Sequence, residues 1–179
     1  MRGNVKIAYF DTTKSQTPRL VGQIRGTPTI KFIYPSKKNK RNSNKKKIVS
    51  DYNGAREYKP LAEFAVSRMP NFVKRISGEK GFKEFEEKAN AYYLPKFLVF
   101  SKKDKTSSLL KYLSTEFRRR ALIGEIRGSK NNAALISKFG VSAFPHIVAL
   151  DFEGNVMSTL DKKPTPNRMK TFLHEHSLK

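Results

Sequence analysis

Seven basic residues crowd one short stretch: Lys37, Lys38, Lys40, Arg41, Lys45, Lys46 and Lys47, spaced by Asn and Ser. Such a run could neutralise phosphates or be read as a nuclear address. It holds no aromatic residue on which a base could stack. A solvated, low-complexity insertion into a hairpin is the simpler explanation, since Lys and Asn dominate it. The same excess of cations runs through the whole chain, where 37 Lys and Arg against 15 Asp and Glu leave a formal charge of +22. That charge suits nucleic acid or an acidic protein assembly as a partner. Arg118-Arg119-Arg120 is expected to close a helix, where cations complement the dipole.

The remaining chemistry is defined by absences. There is no cysteine among the 179 residues. A disulfide, a thiolate nucleophile, a Cys-ligated zinc and thiol exchange are all excluded within this chain. The three histidines, His146, His174 and His176, do not form a metal-binding pattern. His174 and His176 stand two apart on a predicted helix and point in different directions. No Ser-His-Asp pattern, P-loop or dinucleotide glycine motif is present. No catalytic residue, metal or cofactor is expected. No apolar run reaches the roughly 20 residues of a membrane span.

The elements that would position these residues alternate between strand and helix. Val5–Phe10 reads as a strand, Ser15–Gln23 as a short helix, and Ile30–Tyr34 and Ile48–Tyr52 as a hairpin whose loop is the basic run. A helix then carries Leu61, Phe64, Ala65, Met69, Phe72, Val73 and Ile76, with Pro70 ending or kinking it. Ser77-Gly78-Glu79 reads as linker. The second half opens with helix Phe82–Ala91 and strand Lys96–Ser101, whose consecutive apolar residues fit burial on both faces. Helix Ser107–Arg120, strand Leu122–Arg127 and helix Asn131–Phe139 follow, with Gly140 placed for a left-handed stop. Strands His146–Leu150 and Val156–Leu160 form a hairpin about Glu153-Gly154-Asn155. Thr165 caps a final helix that has Pro166 at its first position. The pattern is α/β.

Two loops carry a family resemblance. Arg25-Gly26-Thr27-Pro28-Thr29-Ile30-Lys31-Phe32 is similar to the cis-proline segment of protein disulfide isomerases. Tyr52-x-Gly54-x-Arg56 resembles that family's motif after the last strand. Gly140-Val141-Ser142-Ala143-Phe144-Pro145 before a strand-turn-strand-helix repeats the theme. The resemblance implies tandem thioredoxin-like domains with central mixed sheets, the first one incomplete: residues 1–76 as the C-terminal part of one, from its third strand onward, 77–81 as linker, and 82–179 as a redox-inactive second. The family's strand order, 1-3-2-4-5, leaves Val5–Phe10 and Ile30–Tyr34 without the strand between them. Either Met1 is not the true start, or another segment supplies the missing half. Residues from Phe82 onward are expected to fold alone, and residues 1 to about 76 are not.

In the family, the residue before the cis-proline pairs its backbone with an extended substrate. By position that role falls to Thr27 beside Pro28 and to Phe144 beside Pro145. Lys102-Lys103-Asp104-Lys105-Thr106 stands where the family's CxxC would be. The resemblance thus implies the non-catalytic portion of a protein disulfide isomerase-like protein, a chaperone-type binder of unfolded or partly folded polypeptides during protein folding, in the endoplasmic reticulum lumen. Two other readings stay open. One is a basic thioredoxin-fold scaffold docking on RNA or an acidic assembly. The other is the C-terminal part of an active oxidoreductase whose CxxC lies upstream of Met1.

Overall fold

The computed structural model describes residues 5–35, 47–160 and 163–179. They divide into two compact units, Met1–Pro70 and Asn71–Lys179.

The first unit is a hairpin with one helix. β1 (Lys31–Pro35) and β2 (Lys47–Asp51) pair antiparallel, Phe32 opposite Ser50 and Tyr34 opposite Ile48. α1 (Tyr58–Arg68) sets Phe64 edge-on to Phe32 and Tyr52, with ring centroids 4.8 and 5.1 Å apart. Among the described residues of this unit only Ala65 is fully buried. Val5–Phe10 is not a strand: it has no ladder partner, and Ile7 and Tyr9 are 95 % and 90 % exposed. An extended segment without a neighbour cannot satisfy its backbone or hide its side chains. Ser15–Gln23 forms only a turn, closed by the Val21 amide on the Pro18 carbonyl at 2.8 Å, with Gly22 at φ +72. So short a segment does not repay helix nucleation without packing.

In the second unit five strands form a mixed sheet in the order β3-β5-β4-β6-β7. They are β3 (Lys74–Ile76), β4 (Lys96–Ser101), β5 (Leu122–Arg127), β6 (His146–Leu150) and β7 (Val156–Thr159). β3 and β4 run parallel to β5, whereas β6 is antiparallel to both β4 and β7. Counted within the unit the order is 1-3-2-4-5. Lys74–Ile76, expected at the end of the preceding helix, is this first strand. α1 stops at Arg68 before Pro70, and Ile76 pairs with Ile126. Residues 77–81, expected as linker, are the cap and first turn of α2 (Gly78–Ala91). Side chains from the connection after β5 hold that start: Asn132 Oδ1 accepts from the Gly78 amide at 2.8 Å, and Asn131 Nδ2 donates to Ser77 Oγ at 2.7 Å.

β4 is buried at all six positions, and its period-two alternation divides the core. Leu98 and Phe100 pack with Phe82, Phe85 and Ala89 of α2 and Leu135 of α4 (Ala133–Lys138). Phe97 and Val99 pack with Leu110 and Leu113 of α3 (Ser108–Glu116) and Phe172 and Leu173 of α5 (Pro166–His176). The expected caps are present: the Thr165 hydroxyl accepts from the Arg168 amide at 3.3 Å, and Gly140 has φ +60. Arg118–Arg120 lie just past α3 in a turn, with Arg119 at φ +72. Phe117 caps that helix, and Arg120 Nε donates to the Leu178 carbonyl at 2.6 Å.

One charge sits inside the second unit. Lys96 is fully buried; its Nζ donates to the Phe152 carbonyl at 2.7 Å and Asn90 Oδ1 at 3.1 Å, and Glu86 Oε1 lies at 4.0 Å. Burial pushes the Lys96 pKa below its ordinary 10.5, against the attraction of Glu86 and Asp151. Between the folded pKa and 10.5 the unfolded chain holds this proton and the folded chain does not. The stability of this unit therefore rises with pH across that window. Urea titrations at about pH 8 and about pH 10 should show a gain in the wild type that Lys96→Met lacks. Equal pH responses would show that Lys96 keeps its ordinary pKa.

Candidate functional site

Phe100 pairs with His146, so the C-terminal end of β4 lies beside the N-terminal end of β6. Three connections meet there: residues after β4, the Gly128–Lys130 segment after β5, and Gly140–Pro145 before β6. In α/β sheets this end of the parallel strands is the usual place for ligands. The Phe144–Pro145 peptide is cis, and Pro145 is exposed. The Phe144 ring is half-buried and lies against Gly128, where an added Cβ would stand 3.0 Å from its Cζ. Lys102 Nζ lies over the ring, 5.5 Å from its centroid. Among the described residues neither the amide nor the carbonyl of Phe144 makes a backbone hydrogen bond. Beside the ring opens a depression of about 580 Å³, with Ile136 and Val141 as apolar lining and Lys102 and Lys130 at its margin.

Buried polar groups hold these connections in place. Asn132 is 2 % exposed, and its Nδ2 donates to the Arg127 carbonyl at 2.8 Å while its Oδ1 serves α2. From the sequence alone Asn132 reads only as a helix residue. Its one signal is a polar side chain next to a strand end, with nothing in the pattern naming its partners. The buried Glu125 accepts from the Thr106 hydroxyl at 2.6 Å, and Ser101 Oγ accepts from the Lys103 amide at 3.1 Å. These bonds fix residues 102–106, the stretch that would carry a CxxC. The site offers the unbonded amide and carbonyl of Phe144, its aromatic ring and ammonium groups.

In the first unit the Thr27–Pro28 peptide is also cis, and both residues are exposed. Arg56 Nη2 donates to the Pro28 carbonyl at 3.0 Å, which accounts for the arginine of Tyr52-x-Gly54-x-Arg56. The Tyr52 hydroxyl donates to the Ala55 carbonyl at 2.6 Å, and a Cβ at Gly54 would lie 2.7 Å from that hydroxyl oxygen. Only glycine lets the tyrosine close this turn. Of the basic run, Lys37, Lys38, Lys40, Arg41, Lys45 and Lys46 lie outside the described residues, and Lys47 is exposed on β2. His174 and His176 lie edge-on to Phe117 and Phe172, with ring centroids 4.9 Å apart in each pair. Among the described residues no cluster could hold a metal, and no helix is long and apolar enough to cross a membrane.

No protein-family profile matches the chain. It is 29 % identical over 181 residues to a Dictyostelium discoideum protein provisionally named a protein disulfide-isomerase, a match that covers 100 % of this chain and 42 % of that protein. It is 38 % identical over 95 residues to a Schizosaccharomyces pombe protein named thioredoxin domain-containing and mitochondrial, covering 53 % of this chain and 24 % of that one. The chain thus spans less than half the length of either relative. Among solved structures, thioredoxin NaTrxh from Nicotiana alata superposes with a TM-score of 0.52 at 12 % identity, over 60 % of this chain and 95 % of the thioredoxin. The fold is thioredoxin-like α/β with a mixed central sheet, and the sequence relatives are protein disulfide isomerase-like and thioredoxin-like.

Proposed function

We propose that this chain is a non-catalytic, polypeptide-binding portion of a protein disulfide isomerase-like protein, and that the loop at Phe144–Pro145 is where an extended client docks. The observation that carries this reading is the unbonded amide and carbonyl of Phe144 beside an apolar depression. An extended chain laid there would gain backbone hydrogen bonds and a place for one apolar side chain. The loop at Thr27–Pro28 is the corresponding candidate in the first unit. The open edge of β1, whose only strand partner among the described residues is β2, supports reading that unit as the later part of a thioredoxin-like domain whose earlier strands come from elsewhere. In such a parent the chain would accompany a thiol-active domain, in the endoplasmic reticulum or another organelle.

Two measurements test the reading. Thiol-disulfide exchange runs through a thiolate and a mixed disulfide, and this chain has no sulfur nucleophile. Insulin reduction should therefore stay at the no-protein rate, and turnover above it would refute the non-catalytic role. Binding of a permanently unfolded polypeptide should weaken in Gly128→Ala, whose added methyl displaces the Phe144 ring. The expected loss is roughly fivefold, about 1 kcal/mol. Unchanged affinity, with ring-proton shifts showing Phe144 displaced, would put the client elsewhere.

A further inference from the structure

We propose that the depression beside Phe144 selects extended segments in which an apolar side chain is flanked by carboxylates. This rests on the polypeptide-binding reading above and names the class of client. Ile136, Val141 and Phe144 are half-buried and also pack on the α2–α4 side of the core. They present a fixed apolar surface large enough for one side chain. Lys102 and Lys130 stand exposed at its margin, and neither is in a salt bridge among the described residues. No Asp or Glu lines the depression. A carboxylate arriving there gains an ammonium partner without breaking an existing salt bridge. An arriving Lys or Arg would face the margin cations with no acid to offset them.

The backbone sets the spacing. A client paired with Phe144 is extended, so side chains two residues apart share a face about 7 Å apart. An apolar residue directed into the depression puts the residues two before and two after it on the same face of the client, turned toward the surface that Lys102 and Lys130 help to line. Acids at those positions complement the margin. The chain's +22 charge adds long-range attraction for an acidic client. The depression supplies what general attraction lacks, a requirement for the apolar residue between the acids.

The test uses the full chain at about 0.15 M salt, where distant exposed charges are largely screened. Labelled extended peptides carry Phe with Asp two residues away on each side, the same Phe with Lys in those places, or the Asp pair around Ala. Affinity is read by anisotropy and position by amide shifts at Phe144 and its neighbours. The Asp–Phe–Asp peptide should bind about tenfold tighter than the Lys version, as expected for two exposed ion pairs. It should also bind clearly tighter than the Ala version. Lys102→Glu with Lys130→Glu, both exposed and safe for folding, should reverse the preference. Equal affinity for the Asp and Lys peptides, with shifts at Phe144, would overturn the charge selection while leaving client binding intact. Equal affinity for the Phe and Ala peptides would reduce the effect to bulk charge and overturn the proposal. Absence of shifts at Phe144 with every peptide would sink the polypeptide-binding reading itself. Displacement of the acidic peptide from Phe144 by a tighter-binding oligonucleotide would assign the surface to nucleic acid instead.

Discussion

A fragment of residues 71–179 should fold cooperatively by itself, and a fragment starting at Phe82 should lose most of that stability. The difference is one short strand and one helical turn. β3 places Ile76, 1 % exposed, against Phe85 and Leu98 in the core and pairs in parallel with Gly124–Ile126. Removing a buried Ile side chain costs about 2–5 kcal/mol. The cut also strips the Gly78 amide from Asn132 Oδ1, and an unsatisfied buried acceptor costs about 1–3 kcal/mol. Together these are of the order of the 5–15 kcal/mol that holds a domain. Urea unfolding followed by near- and far-UV circular dichroism should give a sharp transition for 71–179 and a shallow one for 82–179. Equal midpoints would show that β3 is dispensable. A fragment of residues 1–70, with Ala65 as its one fully buried described residue, should exchange its β1 amides freely. Strong protection at Lys31–Pro35 would mean that this unit closes on itself.

Phe100→Ala should produce the largest single-residue loss. The ring is fully buried, 5.7 Å from Phe139 and 6.0 Å from the His146 ring, centroid to centroid. Phe→Ala in a packed core costs about 3–5 kcal/mol. His146 follows Pro145 directly, so the cavity opens beneath the candidate site, and client affinity should fall along with the melting temperature. Tyr92→Ala is the control: Tyr92 is 67 % exposed, and such a surface change stays within about 0.5 kcal/mol. A loss below about 1 kcal/mol for Phe100→Ala would mean that the core refills the space.

The second unit was legible because its strands are apolar on both faces and its helices carry clear stops. Lys96–Ser101, Leu122–Arg127 and His146–Leu150 fall where the pattern puts them. β3 was not, because Lys74 and Arg75 are exposed and only Ile76 is buried. Three residues with one core contact leave no period to read. Val5–Phe10 misled in the opposite way: its composition suits a strand, but pairing is supplied by neighbours that composition does not report. At the site, the type and position of Phe144 were visible, whereas Lys102 and Lys130 come together only through the sheet. Asn132 was hidden because hydrogen bonding to residues 5 and 54 positions away in sequence has no local signature.

The two margins of the five-stranded sheet bear on how the molecule behaves when concentrated. β3 shows Lys74 and Arg75 to solvent, and its three residues give a second sheet little to grip. β7 is four residues long, next to a bulge at Ala149/Leu150, but it exposes Val156 and Met157 at 48 % and 56 %. Open strands invite edge-to-edge growth, which like charge suppresses. The Lys88 pKa is lowered by burial and by Lys74 close by, so the β3 side sheds positive charge early as the solution turns alkaline. Colloidal stability is therefore borrowed from net charge. It runs out near the isoelectric point of about 10.3, and β7 is the seam along which copies would first adhere.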